Sequence, residues 1–358
     1  MVHLTGSATQ KFSLWIRLFL MFQKGHRTTS LFCVTLQAIT YILYNMKRIL
    51  SLTWLLTLAT LCAWAQEYTI PQESIRVRDP FITVDRKQGL YYLITAGHSE
   101  DAVALKAYES RDLEMWREVG YVYLGENRWM KTVKAGVDHW WAPDTYCYHG
   151  HYYTIVTLTN QQEGRVNFCT LLRGGRKPTD KYRDTWVEGK PVSLTPEGQQ
   201  CLDGSLFIDS DGQPWLVYSV EWNGAQVQNG IGETWAVRLR KNLKGRLGDP
   251  IRLFRASDAQ WNTRKQDRDL VVDAPFLWRD ERTGQLTCYW SSFVDGVYAV
   301  GRAVSTSGNV SGPWVHDEKP FYLNGGHQIL FRDLQGQLRM SLHHDNNDAH
   351  LKIITLQE

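Results

Sequence analysis

Three consecutive pieces of the chain carry the strongest pattern: Asp203-Gly204-Ser205-Leu206-Phe207-Ile208, then Asp209-Ser210-Asp211-Gly212, then Trp215-Leu216-Val217-Tyr218. A short apolar run is followed by a polar turn and by a second run of aromatic and branched residues. Runs of this kind, separated by residues that favour tight turns, are typical of a β-hairpin. The stretch therefore predicts two antiparallel strands joined at residues 209–212.

Four further passages repeat this order of run, turn and run, and they begin at Asp79, Ala142, Asp273 and His327. The five starts are about 54 to 70 residues apart, which is the length of one four-stranded sheet with its loops. The repeat predicts an all-β fold, a five-bladed β-propeller. A β-sandwich with an additional domain is the alternative.

The composition is that of an ordered protein, because 43% of the 358 residues are hydrophobic and 22% are charged. The formal net charge is +3, and residues 1–65 hold six Lys and Arg but no Asp or Glu. Without those six, 34 Lys and Arg face 37 Asp and Glu, a net charge of −3. This balance argues against a polyanion-binding protein, and we predict no nucleic-acid partner.

The N-terminal region predicts export. Residues 46–65 combine a charged start, an apolar run and the small-residue site Ala63-Trp64-Ala65, which is the pattern of a secretory signal peptide. Residues 1–45 are interpreted as an over-extended N-terminus, and residues 66–358 as one propeller domain. A transmembrane anchor is the alternative, although the run is shorter than the ~20 residues that a bilayer requires. We expect the mature chain to be periplasmic or extracellular, with no membrane span.

Four cysteines follow the predicted cleavage site: Cys147, Cys169, Cys201 and Cys288. In an oxidising compartment they allow three disulfide pairings. Buried free thiols on strands are the equally plausible alternative.

Each repeat carries a polar side chain at or close to its start. In a propeller, the innermost strand of each blade runs along the central channel, so these starts gather at one mouth. This geometry predicts that Asp79, Asp144, Asp203, Asp273 and His327 surround one opening. Glycosidic bond cleavage needs one carboxylic acid to protonate the leaving oxygen and one carboxylate to activate water or attack, and paired acids at such an opening would meet that need.

At these positions the chain resembles glycoside hydrolase family 43, whose members are five-bladed propellers that cleave arabinofuranosides, xylosides and related sugars. The resemblance is carried by four motifs: Arg78-Asp79-Pro80-Phe81, Trp141-Ala142-Pro143-Asp144, Asp203-Gly204-Ser205-Leu206-Phe207 and Gly325-Gly326-His327. It implies that Asp79 is the general base that activates water and that Asp203 orients the acid and tunes its pKa. It also implies inversion at the anomeric carbon.

The fourth repeat departs from the family pattern. Where the family has a Glu before Gly-Pro as its general acid, this chain has Asp273 before Ala274-Pro275. An Asp carboxyl reaches ~1.5 Å less far from the same backbone, which matters for proton transfer. Asp273 in a reshaped site and Glu221 at the end of a third-repeat strand are the two candidates for the acid. A non-catalytic, carbohydrate-binding propeller is the third possibility.

Four side chains near the repeat starts are candidates for substrate binding: Trp141, Phe81, Trp222 and Arg302. Trp141 is preferred, because it immediately precedes an inner strand within a family motif. The resemblance also implies that His327 helps to hold a structural calcium ion, although calcium prefers oxygen ligands and a hydrogen-bonded core histidine is the alternative. We expect no organic cofactor.

The sequence thus predicts an exported, inverting and exo-acting glycosidase. Its expected partner is an oligosaccharide or polysaccharide that contains arabinofuranosyl, xylosyl or galactofuranosyl units.

Overall fold

A computed structural model describes residues 43, 44, 46, 68–99, 102–134, 137–222, 230–262 and 270–357. The chain divides into two units, residues 1–67 and 68–358. The interpretation of residues 1–45 as an over-extended start and of residues 46–65 as a signal peptide lies almost wholly outside the described residues. In the part of the chain that is described, no helix is long and apolar enough to cross a bilayer.

The second unit contains five antiparallel sheets and one separate hairpin within its described residues. The first sheet holds β1 (Ile70–Pro71), β2 (Phe81–Asp85), β3 (Leu90–Ser99), β4 (Ala102–Ser110) and β5 (Met115–Leu124). The second holds β6 (Trp140–Tyr148), β7 (His151–Asn160), β8 (Arg165–Arg173) and β9 (Arg183–Asp184). The hairpin follows, with β10 (Trp186–Val187) and β11 (Lys190–Pro191).

The remaining sheets follow in chain order. The third holds β12 (Cys201–Ile208), β13 (Pro214–Val220), β14 (Glu233–Arg238) and β15 (Ile251–Arg255). The fourth holds β16 (Asp273–Arg279), β17 (Leu286–Val294), β18 (Val297–Ser305), β19 (Trp314–His316) and β20 (Tyr322–Leu323). The fifth holds β21 (Gly325–Arg332), β22 (Leu338–His344) and β23 (His350–Thr355). Short 3-10 helices lie at Gln72–Ser74, Met130–Thr132, Gln161–Glu163 and Ala256–Asp258.

The edge strands β2, β6, β12, β16 and β21 contact one another in a ring, so they are the inner strands of five blades. Hydrogen bonds cross between neighbouring inner strands: Thr83 Oγ1 donates to the carbonyl of Thr145 (2.7 Å), and Gln328 Nε2 donates to the carbonyl of Ala274 (3.0 Å). The predicted five-bladed β-propeller is confirmed.

The ring is closed by a short N-terminal segment. Residues 75–77 run beside β23, where Leu351 N donates to the carbonyl of Ile75 (2.9 Å) and Val77 N donates to the carbonyl of Ala349 (3.0 Å). The fifth blade therefore combines the last three strands of the chain with backbone that precedes the first inner strand. This pairing joins the two ends of the propeller directly.

Most of the aromatic residues pack between the blades. Trp116, Trp290, Tyr91, Tyr218 and Phe168 are almost completely buried, as expected for stacked sheets that meet through their side-chain faces. The four cysteines are free thiols, with Cys147 exposed and the other three buried.

A backbone feature recurs at the mouth end of all five inner strands. Asp79, Ala142, Asp203, Ala274 and His327 have φ of 54°, 51°, 54°, 47° and 52°. The left-handed region costs a residue with a Cβ roughly 1–2 kcal/mol. In the last four of these strands the pairing register shifts at this point, which makes it a β-bulge. Bulges re-aim side chains, and of the five residues Asp79, Asp203 and His327 line the cavity at this end of the inner strands.

The repeated bulge corrects the alignment of the repeats. The residues equivalent to Asp79, Asp203 and His327 are Ala142 and Ala274, and not the nearby Asp144 and Asp273. A register shift of one or two residues cannot be seen in a run-and-turn pattern, because the pattern records only where apolar runs begin.

Candidate active site

A cavity of about 820 Å³ lies at the mouth end of the inner strands and is lined by residues from all five blades. Its walls include most of the predicted site residues: Asp79, Asp203, Asp273, Glu221, Trp141, Trp222 and His327. The cavity is within the range of about 300–1,000 Å³ that is usual for ligand sites, towards its upper end. It is large enough for more than one sugar unit.

His327 and Asp79 form an ion pair at the base of the cavity, with His327 Nδ1 3.0 Å from Asp79 Oδ1 and 3.7 Å from Asp203 Oδ2. Burial alone would raise the pKa of Asp79, but His327 and His343 beside it hold that pKa well below its ordinary value. Burial alone would lower the pKa of His327, but the carboxylates of Asp79 and Asp203 raise it to about 10. Asp79 is therefore an anion and His327 a cation at neutral pH.

Asp203 is held from both of its neighbouring blades. Its backbone N–H donates to Thr157 Oγ1 (2.9 Å), and its Oδ2 accepts from the backbone N–H of Ala274 (3.0 Å). Burial raises its pKa to about 7, with a further rise from the charge of Asp79 that His327 opposes. Asp203 thus carries a proton for part of the neutral pH range.

Asp273 immediately precedes the bulge residue Ala274 and accepts a hydrogen bond on Oδ2 from Tyr298 (3.0 Å). Burial and the negative charge of Asp203 raise its pKa to about 8. Tyr298 lies flat against His343, with ring centroids 5.3 Å apart and planes 5° apart. Sequence reasoning missed Tyr298, because only the pairing of β18 beside β17 brings it to the mouth.

Glu221 lies on the wall between the second and third blades and is buried. Its Oε1 accepts a short hydrogen bond from Asn167 Nδ2, and Asn167 Oδ1 is 2.7 Å from His139 Nδ1. The His139 ring stacks on Trp141, with centroids 3.5 Å apart. Burial raises the pKa of Glu221, and the Asn167 hydrogen bond opposes that rise. Sequence reasoning missed Asn167 and His139, which belong to no motif.

Asp144 does not line the cavity, although it lies close enough to His327 and Asp79 for their charges to act on its pKa. It lies two residues beyond the bulge residue Ala142, is 6% exposed and accepts a hydrogen bond from Tyr146 (2.9 Å). Burial raises its pKa to about 7.

A model of glycosyl hydrolases family 43 matches residues 68–354, which is the whole of the described propeller except its last residues. The chain belongs to glycosyl hydrolases family 43. It is a glycosidase, and its substrate is therefore a carbohydrate. The non-catalytic binding propeller weighed above is not supported by this membership.

Three relatives place this family 43 chain among known enzymes. A solved endo-arabinase from Bacteroides thetaiotaomicron VPI-5482 is 38% identical, with a TM-score of 0.71, and the match covers 81% of this chain and 98% of that one. An extracellular endo-α-(1→5)-L-arabinanase of Bacillus subtilis (strain 168) is 21% identical over 71% of this chain and 72% of its own length. An exo-1,5-α-L-arabinanase from a bovine ruminal metagenomic library shares the fold at 19% identity and a TM-score of 0.58, covering 79% and 93% of the two chains.

Of the four predicted substrate-binding residues in this family 43 enzyme, Trp141 and Trp222 line the cavity. Phe81 does not, because it is 5% exposed and packs edge-to-face on Tyr146 in the core. Arg302 does not either, because its Nε donates to Asp317 Oδ2 (2.7 Å) on the outer part of the fourth blade. These two predictions are corrected: proximity to a strand start does not say which face of the strand a side chain occupies.

The arrangement around His327 does not fit calcium ligation through Nδ1. That nitrogen faces the carboxylates of Asp79 and Asp203, where it acts as a donor. Calcium binds six to eight oxygen ligands, and no metal-binding group of three or more His, Cys, Asp or Glu occurs among the described residues. The calcium ion stays a prediction, which elemental analysis and melting in the presence of a chelator would test.

Proposed function

We propose that this enzyme hydrolyses α-1,5-linked arabinan with inversion at the anomeric carbon. The single observation that carries the reaction is the placement of Asp79, paired with His327, and of Asp273 on the walls of one cavity. The choice of arabinan is supported by the 38% identical relative, which is described as an endo-arabinase and is matched over 98% of its length.

We assign the general base to Asp79. A base must be ionised to take a proton from water, and the ion pair with His327 keeps Asp79 ionised in spite of its burial. As the water oxygen attacks the anomeric carbon, one of the water protons passes to the Asp79 carboxylate. Attack from the face opposite the leaving group inverts that carbon.

We assign the general acid to Asp273, with Glu221 as the alternative. Asp273 occupies the place of the family's acid just before the bulge, and its pKa of about 8 keeps it protonated at neutral pH. The charge of Asp203 contributes to that raised pKa, which agrees with the tuning role proposed for Asp203. The Asp273 proton passes to the glycosidic oxygen as the bond from that oxygen to the anomeric carbon breaks.

For the mode of action we propose internal cleavage rather than the exo action expected from the sequence. Both arabinanases reported above with the higher identities, 38% and 21%, are described as endo-acting. A cavity of about 820 Å³ can also hold several furanose units of one chain. An exo enzyme would release one product size from the start of the reaction, whereas an endo enzyme first gives a range of oligosaccharides.

The test is product analysis on linear 1,5-arabinan, with parallel assays on xylan and a panel of aryl glycosides. We expect arabino-oligosaccharides of several sizes, and proton NMR of the first product should show the inverted anomer. Asp79→Asn should reduce the rate at least about 100-fold, because Asn cannot accept the proton. An Asp79→Asn enzyme as active as the parent would refute the assignment of the base.

We also propose that the enzyme is exported, on the basis of the pattern in residues 46–65 and of the Bacillus subtilis relative described as extracellular. N-terminal sequencing of the secreted product should begin at Gln66. An intact N-terminus would contradict this.

A further inference from the structure

A second cleft lies beside the active-site cavity, on the outer part of the second blade. It has a volume of about 650 Å³ and shares no lining residue with the cavity. Trp129 and Trp186 form its apolar part, and the exposed side chains of Arg128, Gln162 and Glu163 surround them. We call it the outer cleft.

Trp186 is unusual in its exposure. Of the tryptophans that the structure describes, only two are exposed: Trp141 at the active-site cavity (43%) and Trp186 in the outer cleft (39%). The hairpin of β10 and β11 presents Trp186, and its turn residues Glu188 and Gly189 have φ of 53° and 76°. Positive φ at both residues of a two-residue loop is typical of a type I′ hairpin turn, which fixes the backbone from which Trp186 projects.

The outer cleft and the cavity are at the same end of the second blade. β6 starts at Trp140, and the next residue, Trp141, lines the cavity. The antiparallel β7 ends opposite them, before the turn that carries Gln162 and Glu163. A short hydrogen-bonded connection runs from His139, which lines the cavity, to Thr132, which lines the outer cleft. In it, His139 N donates to Thr159 Oγ1 (2.6 Å), and the next residue, Asn160, donates through Nδ2 to Thr132 Oγ1 on the outer cleft (2.8 Å).

The chemistry of the outer cleft matches a sugar chain. The C–H faces of a sugar ring stack on an indole, and the hydroxyls around the ring edge need amide, carboxylate and guanidinium partners. An indole beside exposed Gln, Glu and Arg side chains supplies both kinds of contact. A membrane or protein partner would instead be expected to meet a wider apolar patch or one of a single charge.

We propose that the outer cleft binds a distant segment of the same polysaccharide chain that the active site cleaves. This rests on the proposed function for the identity of the sugar, arabinan. One stacking contact of this kind corresponds to about a two- to tenfold change in affinity. The outer cleft should therefore raise the affinity of the enzyme for long chains and leave the affinity for substrates that fill only the cavity unchanged.

The test uses affinity electrophoresis in gels that contain linear 1,5-arabinan, in the inactive Asp79→Asn background. Adding Trp186→Ala should weaken retention about two- to tenfold. The matched control is Val187→Ala on the same hairpin, which is 44% exposed, lies outside the outer cleft and should leave retention unchanged. In the active enzyme, Trp186→Ala should raise KM for the polymer and leave kcat/KM for p-nitrophenyl α-L-arabinofuranoside unchanged.

The proposal would be overturned if arabinan retained the Asp79→Asn parent, Trp186→Ala and Val187→Ala equally. It would also be overturned if arabinan did not retain the parent at all. Equal losses in both variants would also overturn it, because the fold of the hairpin and not the indole would then be responsible. A wrong proposed function would give a different result: the active parent enzyme would release no product from arabinan.

Discussion

At the scale of single residues, one carboxylate in the cavity differs from all the others. Asp79 is paired with His327 and stays ionised, whereas burial raises the pKa of Asp203, Asp273 and Glu221. Buried carboxyl groups that lie close together cannot all ionise, because their negative charges repel. The positive charge of His327 favours ionisation of Asp79 over that of the other three. The proposed base and acid require such a separation of pKa values between two side chains of the same kind.

The identity of the acid can be tested with two substitutions. Asp273→Asn should lower kcat/KM on arabinan about 100- to 10,000-fold but on an aryl glycoside with a good leaving group by less than about tenfold, because only a poor leaving group needs the proton. Glu221→Gln should lower kcat/KM on both substrates by about tenfold or less. The reverse pattern, with Glu221→Gln selective for the poor leaving group, would assign the acid to Glu221.

The raised pKa of Asp273 also predicts a dependence of stability on pH. From its ordinary value of 3.8, the pKa of Asp273 rises to about 8 in the fold, so between these values the folded protein holds a proton that the unfolded chain loses. Stability from this group is therefore lost as pH rises from about 4 to 8. Asp273→Asn should increase the free energy of unfolding by about 1 kcal/mol or more at pH 8 and by little at pH 4.

Thermal melting at both pH values measures this difference, and the exposed Asp249→Asn serves as the control. An Asp273→Asn variant that melts with the same offset from the parent at pH 4 and pH 8 would contradict the prediction.

At the scale of elements, the close approach of β21 to β18 explains a glycine in the mouth of the channel. A Cβ on Gly326 would lie 2.2 Å from Tyr298 Cε1 and 2.8 Å from Ser291 Oγ. Tyr298 donates to Asp273, and Ser291 Oγ accepts from the backbone N–H of His327 (2.9 Å). Gly326 thus leaves space for the two side chains that hold Asp273 and His327 in place.

Gly326→Ala should therefore displace Tyr298, lower kcat on arabinan at least about tenfold and cost about 1–3 kcal/mol of stability. Gly97→Ala in β3 is the matched control, because its Cβ would meet only Lys106 Cβ at an ordinary 3.9 Å. Kinetics and thermal melting of both variants test this. If Gly326→Ala behaved like Gly97→Ala, Tyr298 would not be held by the close approach.

At the scale of the whole molecule, the closure of the ring joins the two ends of the propeller. Residues 75–77 pair with β23, and Asp79 follows directly at the cavity. The position of Asp79, the proposed general base, therefore depends on β23. Leu351 in that strand is 2% exposed and belongs to the same core cluster as Ile75 and Val77.

A chain that ends after Asp348 should lose this closure and unfold at a temperature lower by at least about 10 °C, or fail to fold, because a whole edge of the fifth blade loses its hydrogen bonds and apolar contacts. A chain that lacks only Gln357 and Glu358, beyond β23, is the control. Melting curves and limited proteolysis measure both. A truncated chain as stable as the control would show that the closure is unimportant.

The amino-acid sequence by itself determined the number of blades, because five run-and-turn repeats are local patterns that any segment carries within itself. It also determined the motif residues Asp79, Asp203 and His327, which share the same positive φ at equivalent positions of their blades. Only the tertiary structure decided that Ala274 rather than Asp273 has the positive φ in the fourth blade and that Phe81 belongs to the core. It also decided that Tyr298 and Asn167 donate to Asp273 and Glu221, and that His139 contacts Asn167. The physical reason is that a one-residue shift of register and contacts between blades depend on how distant strands pack, which no local pattern records.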